Sequence, residues 1–297
     1  MNPMDFQKRI SKINEIDNEI DNEIDTFKES PEKYKFDYVD CNTIDIDLDI
    51  PIYRIVSFEE LRKIFKKSSL SLSKPSSWED QSELFLFNNI GITENNESVS
   101  FNYLKNRIYC TCWSQKDESA ALWKIYASKK TSKYVKIKST PRKIMKYFYD
   151  VNTSAHYWTY FCGKVRYVET KNMNEILSNN LIDYFMPESF TKAIYSLFFK
   201  KAAFDYENEI RFVFIAQSDV PEDKLSVNKW DVSKKYFYFK IDINDIIEEI
   251  VFHPQISNEN RELIENEIRK YDYKGKLYKS SLYDERKMVL PFHLSND

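Results

Sequence analysis

Hydrophobic spacing divides the chain into a short beginning and a long body. In the first thirty residues, Ile10, Ile13, Ile16, Ile20, Ile24 and Phe27 recur at intervals of three and four. That spacing lines them along one side of a helix, with charge elsewhere. The stripe is as narrow as a coiled-coil seam. It predicts an N-terminal amphipathic helical arm over residues 1–30. The arm either folds back on the domain or serves as a seam for a homo-oligomer or a partner protein. Ser30-Pro31 ends it, because a residue before proline is pushed out of the helical region. Residues 31–50 are aspartate-rich and read as an acidic linker. They lack the glycine and closing glutamate of a calcium-binding EF-hand loop.

The body, residues 51–290, is expected to form a single α+β domain. IYRIV (52–56) reads as a strand. Ser57-Phe58-Glu59-Glu60 is a capping box, opening a helix with Phe58, Leu61, Ile64 and Phe65 on one side. SLSLS (69–73) alternates as a strand does, and 107–113 and 133–138 are also expected to be strands. Residues 118–128 form a helix, and Pro141 opens another. Residues 156–168 are a long strand, or a hairpin turning at Gly163. A helix is expected over about 187–203. FDYENEIRFVF (204–214) reads as a strand, with KYFYFKI (235–241) as its expected neighbour. A helix capped by Ser257 follows. Strands and helices mix without a regular βαβ beat. The fold class is therefore α+β, a mostly antiparallel mixed sheet with interspersed helices.

Composition removes several functions. The chain has three glycines, Gly91, Gly163 and Gly275. A P-loop or a G-x-G-x-x-G turn needs several glycines where the backbone meets phosphates. A bound nucleotide must therefore be held mostly by side chains. A net charge of -3, from 44 basic and 47 acidic residues, predicts no general affinity for polyanions. Cys41, Cys110, Cys112 and Cys162 have neither zinc-site nor disulfide-framework spacing, and His156, His253 and His293 are scattered, so no metal site is expected. No apolar leader or membrane-length run occurs, so the expectation is a cytoplasmic protein with reduced thiols and no membrane contact.

One stretch stands out chemically. Strand alternation in FDYENEIRFVF puts Glu207, Glu209 and Arg211 on one side, opposite Ile210, Phe212 and Phe214. Its plain reading is a solvent-exposed ion pair, worth under about 1 kcal/mol. Its sharper reading is the wall of a cleft. Arg54 either pairs with a nearby glutamate or clamps a phosphate. Ser114 ends a strand, where it either caps the next turn or positions a ligand. Asp80 and Glu83 are spaced as a helix start, which favours capping. Trp123 and Tyr126 lie one turn apart, as core or as a ring platform.

Taken together and in order, these residues resemble a bacterial family called domain of unknown function 2971, over about residues 51–285. Its opening leucine-tyrosine-arginine/lysine-tyrosine strand is similar to Ile52-Tyr53-Arg54-Ile55. Its phenylalanine-asparagine-aspartate-proline-phenylalanine-glutamate loop keeps only Asp80 and Glu83 here. Its cysteine-phenylalanine-serine strand corresponds to Cys112-Trp113-Ser114, and its tryptophan-x-x-tyrosine helix to Trp123 and Tyr126. Its tyrosine-glutamate-x-glutamate-x-arginine signature is matched fully by Tyr206, Glu207, Glu209 and Arg211. The histidine and glycine that follow the tryptophan-x-x-tyrosine motif are absent. A looser resemblance is to mono-ADP-ribosyltransferases, which carry an arginine, a serine strand and a Glu-x-Glu in the order of Arg54, Ser114, and Glu207 with Glu209. One serine stands in place of their serine-threonine-serine.

That second resemblance implies an enzyme using NAD as substrate, a toxin or anti-phage effector. Glu209 and Glu207 would be catalytic, Arg54 would hold a phosphate, and Ser114 would brace the cleft. Tyr53, Trp123, Tyr126, Arg211, Asp80 and Glu83 would line the ligand site. Two other readings stand beside it. One is a non-catalytic module that binds a nucleotide or nucleic acid through Arg54, Trp123, Tyr126 and Arg211. The other is a protein-interaction module that uses the N-terminal helix.

Overall fold

The computed structural model describes residues 39, 42–92, 96, 98–127, 133–148, 158–169, 194, 196–216 and 234–284. The arm expected over 1–30, with its self-association seam, lies outside these residues.

In chain order the strands are β1 (Thr43–Ile44), β2 (Ile52–Ser57), β3 (Ser69–Ser73), β4 (Ile90–Ile92), β5 (Ser98–Ser100), β6 (Ile108–Ser114), β7 (Tyr134–Ser139), β8 (Trp158–Lys164), β9 (Arg166–Val168), β10 (Phe199–Lys201), β11 (Glu209–Ala216), β12 (Tyr236–Lys240), β13 (Glu249–Phe252) and β14 (Lys276–Lys279). The helices are α1 (Phe58–Lys67), α2 (Phe85–Asn88), α3 (Ala120–Tyr126), α4 (Pro141–Phe148), α5 (Ile243–Ile246) and α6 (Asn258–Arg269). Among the described residues, one ten-stranded sheet runs β1-β8-β11-β6-β2-β7-β13-β14, with β3 and β12 branching from β6. Its pairings are antiparallel except β1 with β8 and β13 with β14. The class is α+β, as the interspersed pattern predicts.

Register gives the sheet two unlike faces. Directly paired residues point to the same side. Ile210, Phe212 and Phe214 share one face with Trp113, Thr111 and Tyr109 of β6. Ile52 and Val56 lie on it with Ile137 and Val135. Helices cover this core face. The Phe148 ring of α4 lies edge-on to Phe212, Phe214 and Phe239 at 6.0, 5.7 and 4.7 Å. From α1, Phe58, Leu61, Ile64 and Phe65 are buried. That helix starts where the sequence says it should: the Ser57 hydroxyl accepts from the Glu60 N–H at 3.2 Å. Ser257 caps α6 in the same way.

The opposite face carries Glu209, Arg211, Ser114 and Cys112. Here the sheet forks. β6 meets β2 at Ser114–Tyr53 and β3 at Ser73–Cys110. Between those two bridges that edge of β6 has no strand neighbour among the described residues. The fork opens the floor of the cavity described below.

Four sequence expectations need correction. KYFYFKI pairs with β3 and not with the strand at 209–216. Residues 158–168 neither run on as one strand nor turn back as a hairpin at Gly163. β8 ends at Lys164, the Val165 N–H bonds to the Glu209 carbonyl at 2.9 Å, and β9 leaves to pair with β10. Gly163 is needed for close approach, because a Cβ there would stand 2.8 Å from the Ile44 Cβ and 2.9 Å from the Phe198 ring. The expected helix at 187–203 fails over its described end, which is a 3-10 turn, Ser196–Phe198, and then β10. Finally, 42–50 is not a free tether. β1 pairs with β8, and Asn42, Thr43, Ile44 and Leu48 are buried.

Candidate functional site

FDYENEIRFVF is not one strand. Ala202–Glu207 wind as a 3-10 helix, which Asn208 stops in a left-handed conformation with φ 43 and ψ 57. Asparagine tolerates that region better than most residues. β11 begins only at Glu209. A turn, and not strand alternation, therefore brings Glu207 beside Glu209. The serine hydroxyl of Ser114 braces that turn, donating to the Glu207 carbonyl at 2.5 Å and accepting from the Lys116 N–H at 3.0 Å.

The charged side chains are buried, which overturns the exposed ion-pair reading. Glu207 is 7%, Glu209 4%, Glu83 8% and Arg211 1% exposed. Arg211 donates from Nε and Nη2 to the two oxygens of Glu209 at 2.9 and 3.0 Å, and from Nη2 to Glu83 at 2.6 Å. Its Nη1 donates to the Leu197 carbonyl, and its guanidinium lies 4.3 Å from the centre of the Trp78 ring. Every nitrogen of Arg211 is thus engaged. Lys200 completes the cluster, with Nζ at 2.7 Å from Glu207, 3.3 Å from Glu209 and 3.4 Å from Glu83. Tyr126 donates to the other Glu207 oxygen at 3.1 Å. With all groups ionised, three carboxylates face two cations, and the cluster carries one net negative charge.

This arrangement drives the two Glu-x-Glu carboxyls apart. Burial pushes Glu207 up, and the neighbouring Glu209 charge adds to this, against the pull of Lys200 and Tyr126. Burial opposes ionisation of Glu209 too, but Arg211 and Lys200 outweigh it and hold its carboxyl below the ordinary range. Burial works against the Lys200 ammonium, yet the surrounding carboxylates keep its pKa above the usual lysine value. The thiol of Cys112 is pushed well up by burial and by Glu209, so it is inert as a nucleophile.

The cluster forms one wall of a cavity of about 1140 Å³. Glu207, Glu209, Arg211, Arg54, Tyr53, Ser114, Trp123, Tyr126, Asp80 and Glu83 all line it. Their individual roles differ. Arg54 lies on the other side of the sheet register from Glu209, at the fork, bonded to Glu60 at 2.7 Å and Thr111 at 3.1 Å. It does not pair with the Glu-x-Glu segment. Tyr53 lies beneath the Lys136 ammonium, 5.0 Å from the ring centre. Trp123 is buried edge-on to His253 at 5.1 Å and serves the core. Asp80 caps the turn at Gln81–Leu84 and meets Lys201 at 3.2 Å. Glu83 belongs to the Arg211 cluster.

Lys200 is the site residue that sequence reasoning missed. Its signal was a basic pair inside the apolar run SLFFKKAAF, hidden by the expectation of a helix there. Among the described residues, no group of three or more histidine, cysteine or acidic side chains forms a metal site, and no helix is long and apolar enough to cross a membrane.

No protein-family model matches the chain, so the order of motifs remains a resemblance. No curated protein matches it either. Among solved structures the chain is similar to Thermus sp. 2.9 DarT in three complexes. With carba-NAD+ the TM-score is 0.34 at 10% identity, covering 79% of this chain and 97% of that one. With NAD+ it is 0.34 at 11%, covering 80% and 97%. With ADP-ribosylated ssDNA it is 0.36 at 10%, covering 80% and 96%.

Proposed function

We propose that the cavity is the active site of an ADP-ribosyltransferase-like enzyme that cleaves NAD. The observation that carries this reading is the pair of neighbouring glutamates with opposite proton affinities, set in a net-negative wall of a cavity large enough for a dinucleotide. The order Arg54, Ser114, Glu207, Glu209 supports it as a resemblance.

Breaking the bond between ribose and nicotinamide sends its electron pair to the nicotinamide nitrogen and leaves positive charge on the sugar carbon. The single excess negative charge of the cluster stabilises that cation. Glu209, locked by Arg211, stays ionised and keeps the field fixed. Glu207 is the better base, because its carboxyl has a raised proton affinity. An acceptor O–H or N–H forms the new bond to the sugar carbon and gives its proton to Glu207. With water as acceptor the product is ADP-ribose. Tyr126 and Lys200 aim the Glu207 carboxylate, and Ser114 fixes the turn that carries it. Arg54 keeps 22% of its side chain exposed and would meet the substrate's phosphates.

The test is NAD loss in purified protein. Removing a general base costs about 10²–10⁴-fold in rate, and Glu207→Gln is expected to fall in that range. Glu209→Gln removes fixed charge and is expected to slow the reaction as well. If both variants consume NAD at the wild-type rate, the reading is wrong. An enzyme that spends NAD also slows the growth of cells expressing it. The toxin or defence-effector role therefore predicts growth arrest by the wild type and none by Glu207→Gln.

A further inference from the structure

The cavity has a second wall whose chemistry the proposed reaction does not use. β12 is an edge strand among the described residues, with β3 as its neighbour there. Tyr236 pairs with Ser73, Tyr238 with Ser71 and Lys240 with Ser69. Ser73 in turn pairs with Cys110, which shares its face with Arg211. Alternation therefore places both tyrosines, Lys240 and the row of serines on the cavity side. Tyr236 is 44% and Tyr238 46% exposed, although both line the cavity. Their inward neighbours Phe237 and Phe239 pack on the core, so the strand is anchored while its outer rings stay nearly half exposed.

Charge sorts in the same direction. The Lys67 ammonium lies 4.7 Å above the Tyr238 ring, and that of Lys235 lies 5.5 Å above Tyr236. Lys240 donates to the Lys67 carbonyl at 3.1 Å. None of these three lysines has a carboxylate partner among the described residues. The nearby acids are mostly taken: Glu59 by Arg62 at 2.9 Å, Glu60 by Arg54 at 2.7 Å, and Asp80 by Lys201 at 3.2 Å. Glu79 is the exception. The rim is thus cationic and aromatic, while the wall around Glu207 is net negative.

We propose that this ledge holds a single-stranded polynucleotide, the acceptor of the transfer described above. Its role as acceptor rests on that reading; its binding does not. Two open rings two strand positions apart, about 7 Å along the backbone, offer faces on which successive bases stack. The lysines meet the phosphates and the serines meet polar base edges. The charge pattern sets the orientation. A polyanionic backbone stays on the rim and is repelled by the negative wall, so a neutral base reaches inward. An acidic peptide would satisfy the lysines and leave both ring faces without a planar partner.

Fluorescence anisotropy of the full chain with labelled twelve-residue oligothymidylate and oligouridylate, in the absence of NAD, tests this. Replacing both rings (Tyr236→Ala with Tyr238→Ala) is expected to weaken binding at least tenfold, the loss of one stacked base or more. Tyr236→Phe with Tyr238→Phe keeps the faces and retains binding. Lys67→Gln with Lys235→Gln is expected to flatten the salt dependence by about 1.4 in log–log slope, two single-strand phosphate contacts. If the alanine pair fails to fold, that slope decides. The proposal is overturned if the wild type binds neither oligonucleotide, if neither pair of variants changes binding, or if thymidine monophosphate or polyglutamate competes as well as the oligomer. Oligonucleotide binding without NAD loss would sink the proposed function and keep the ledge. NAD loss without oligonucleotide binding would do the reverse.

Discussion

Two arginines line the same cavity and were equal candidates in the sequence, yet the fold treats them differently. Arg211 is 1% exposed, with every nitrogen bonded to Glu209, Glu83 or the Leu197 carbonyl, and Trp78 against its flat face. Arg54 sits at the fork of the sheet with one carboxylate, one threonine hydroxyl and 22% of its side chain open. A guanidinium with four of its five N–H donors bonded and 1% of its surface exposed has no face to offer a ligand. It can only hold its neighbours. An arginine with donors to spare, tethered by a half-exposed glutamate, can exchange that partner for a phosphate. In the proposed function, Arg211 would therefore be the positioning residue of the site and Arg54 its anion contact.

The sharpest way to break this contrast is to remove each arginine. Arg211→Ala would leave Glu83 and Glu209 buried with Lys200 as their remaining cation. Breaking a buried pair from one side costs about 3–5 kcal/mol. The expected result is a loss of that size in chemical denaturation, with NAD turnover lost as well. Arg54→Ala removes a partly exposed pair, worth about 1 kcal/mol or less. Its expected effect lies in NAD affinity by calorimetry, weakened roughly tenfold or more, the loss of a charged hydrogen bond. Equal stability losses in the two variants would erase the distinction between the two arginines.

The contrast also shows what the sequence could say. The core face was legible, because Ile210, Phe212 and Phe214 alternate with polar positions and Phe58, Leu61, Ile64 and Phe65 repeat at helical spacing. Ser57 and Ser257 marked helix starts through their caps. The order of β3 and β12 was not legible, since strand pairing joins residues about 170 apart and no local signal encodes it. The cluster was half legible. Glu209 and Arg211 share a strand face, as spacing says. Glu207 reaches them through a left-handed turn at Asn208, while Lys200 and Glu83 arrive from other segments. Burial, which separates a surface ion pair from a site, is a property of the assembled sheet and has no signature in an eleven-residue window.

Tyr126 gives the smallest and finest test of how the Glu-x-Glu segment is tuned. Its hydroxyl donates to Glu207, and that bond favours the ionised carboxylate, partly offsetting burial and the Glu209 charge. The signs follow directly. Glu207 has a raised pKa and in the proposed reaction would act as base when ionised, so NAD turnover should climb as pH rises through a value above the ordinary glutamate pKa. Glu209 has a lowered pKa and is already ionised across that interval, so it adds no limb there. Tyr126→Phe removes one donor to the charged form of Glu207 and must move the limb to higher pH. A hydrogen bond to a charged group is worth about 1.5–3 kcal/mol, and one pKa unit is about 1.4 kcal/mol. Tyr126 is half exposed, so water replaces part of the lost bond. The expected shift is about one pH unit or less, with the plateau rate nearly unchanged. A shift to lower pH, or a fall in the plateau with the limb in place, would mean that Glu207 is not the group whose ionisation the rate follows.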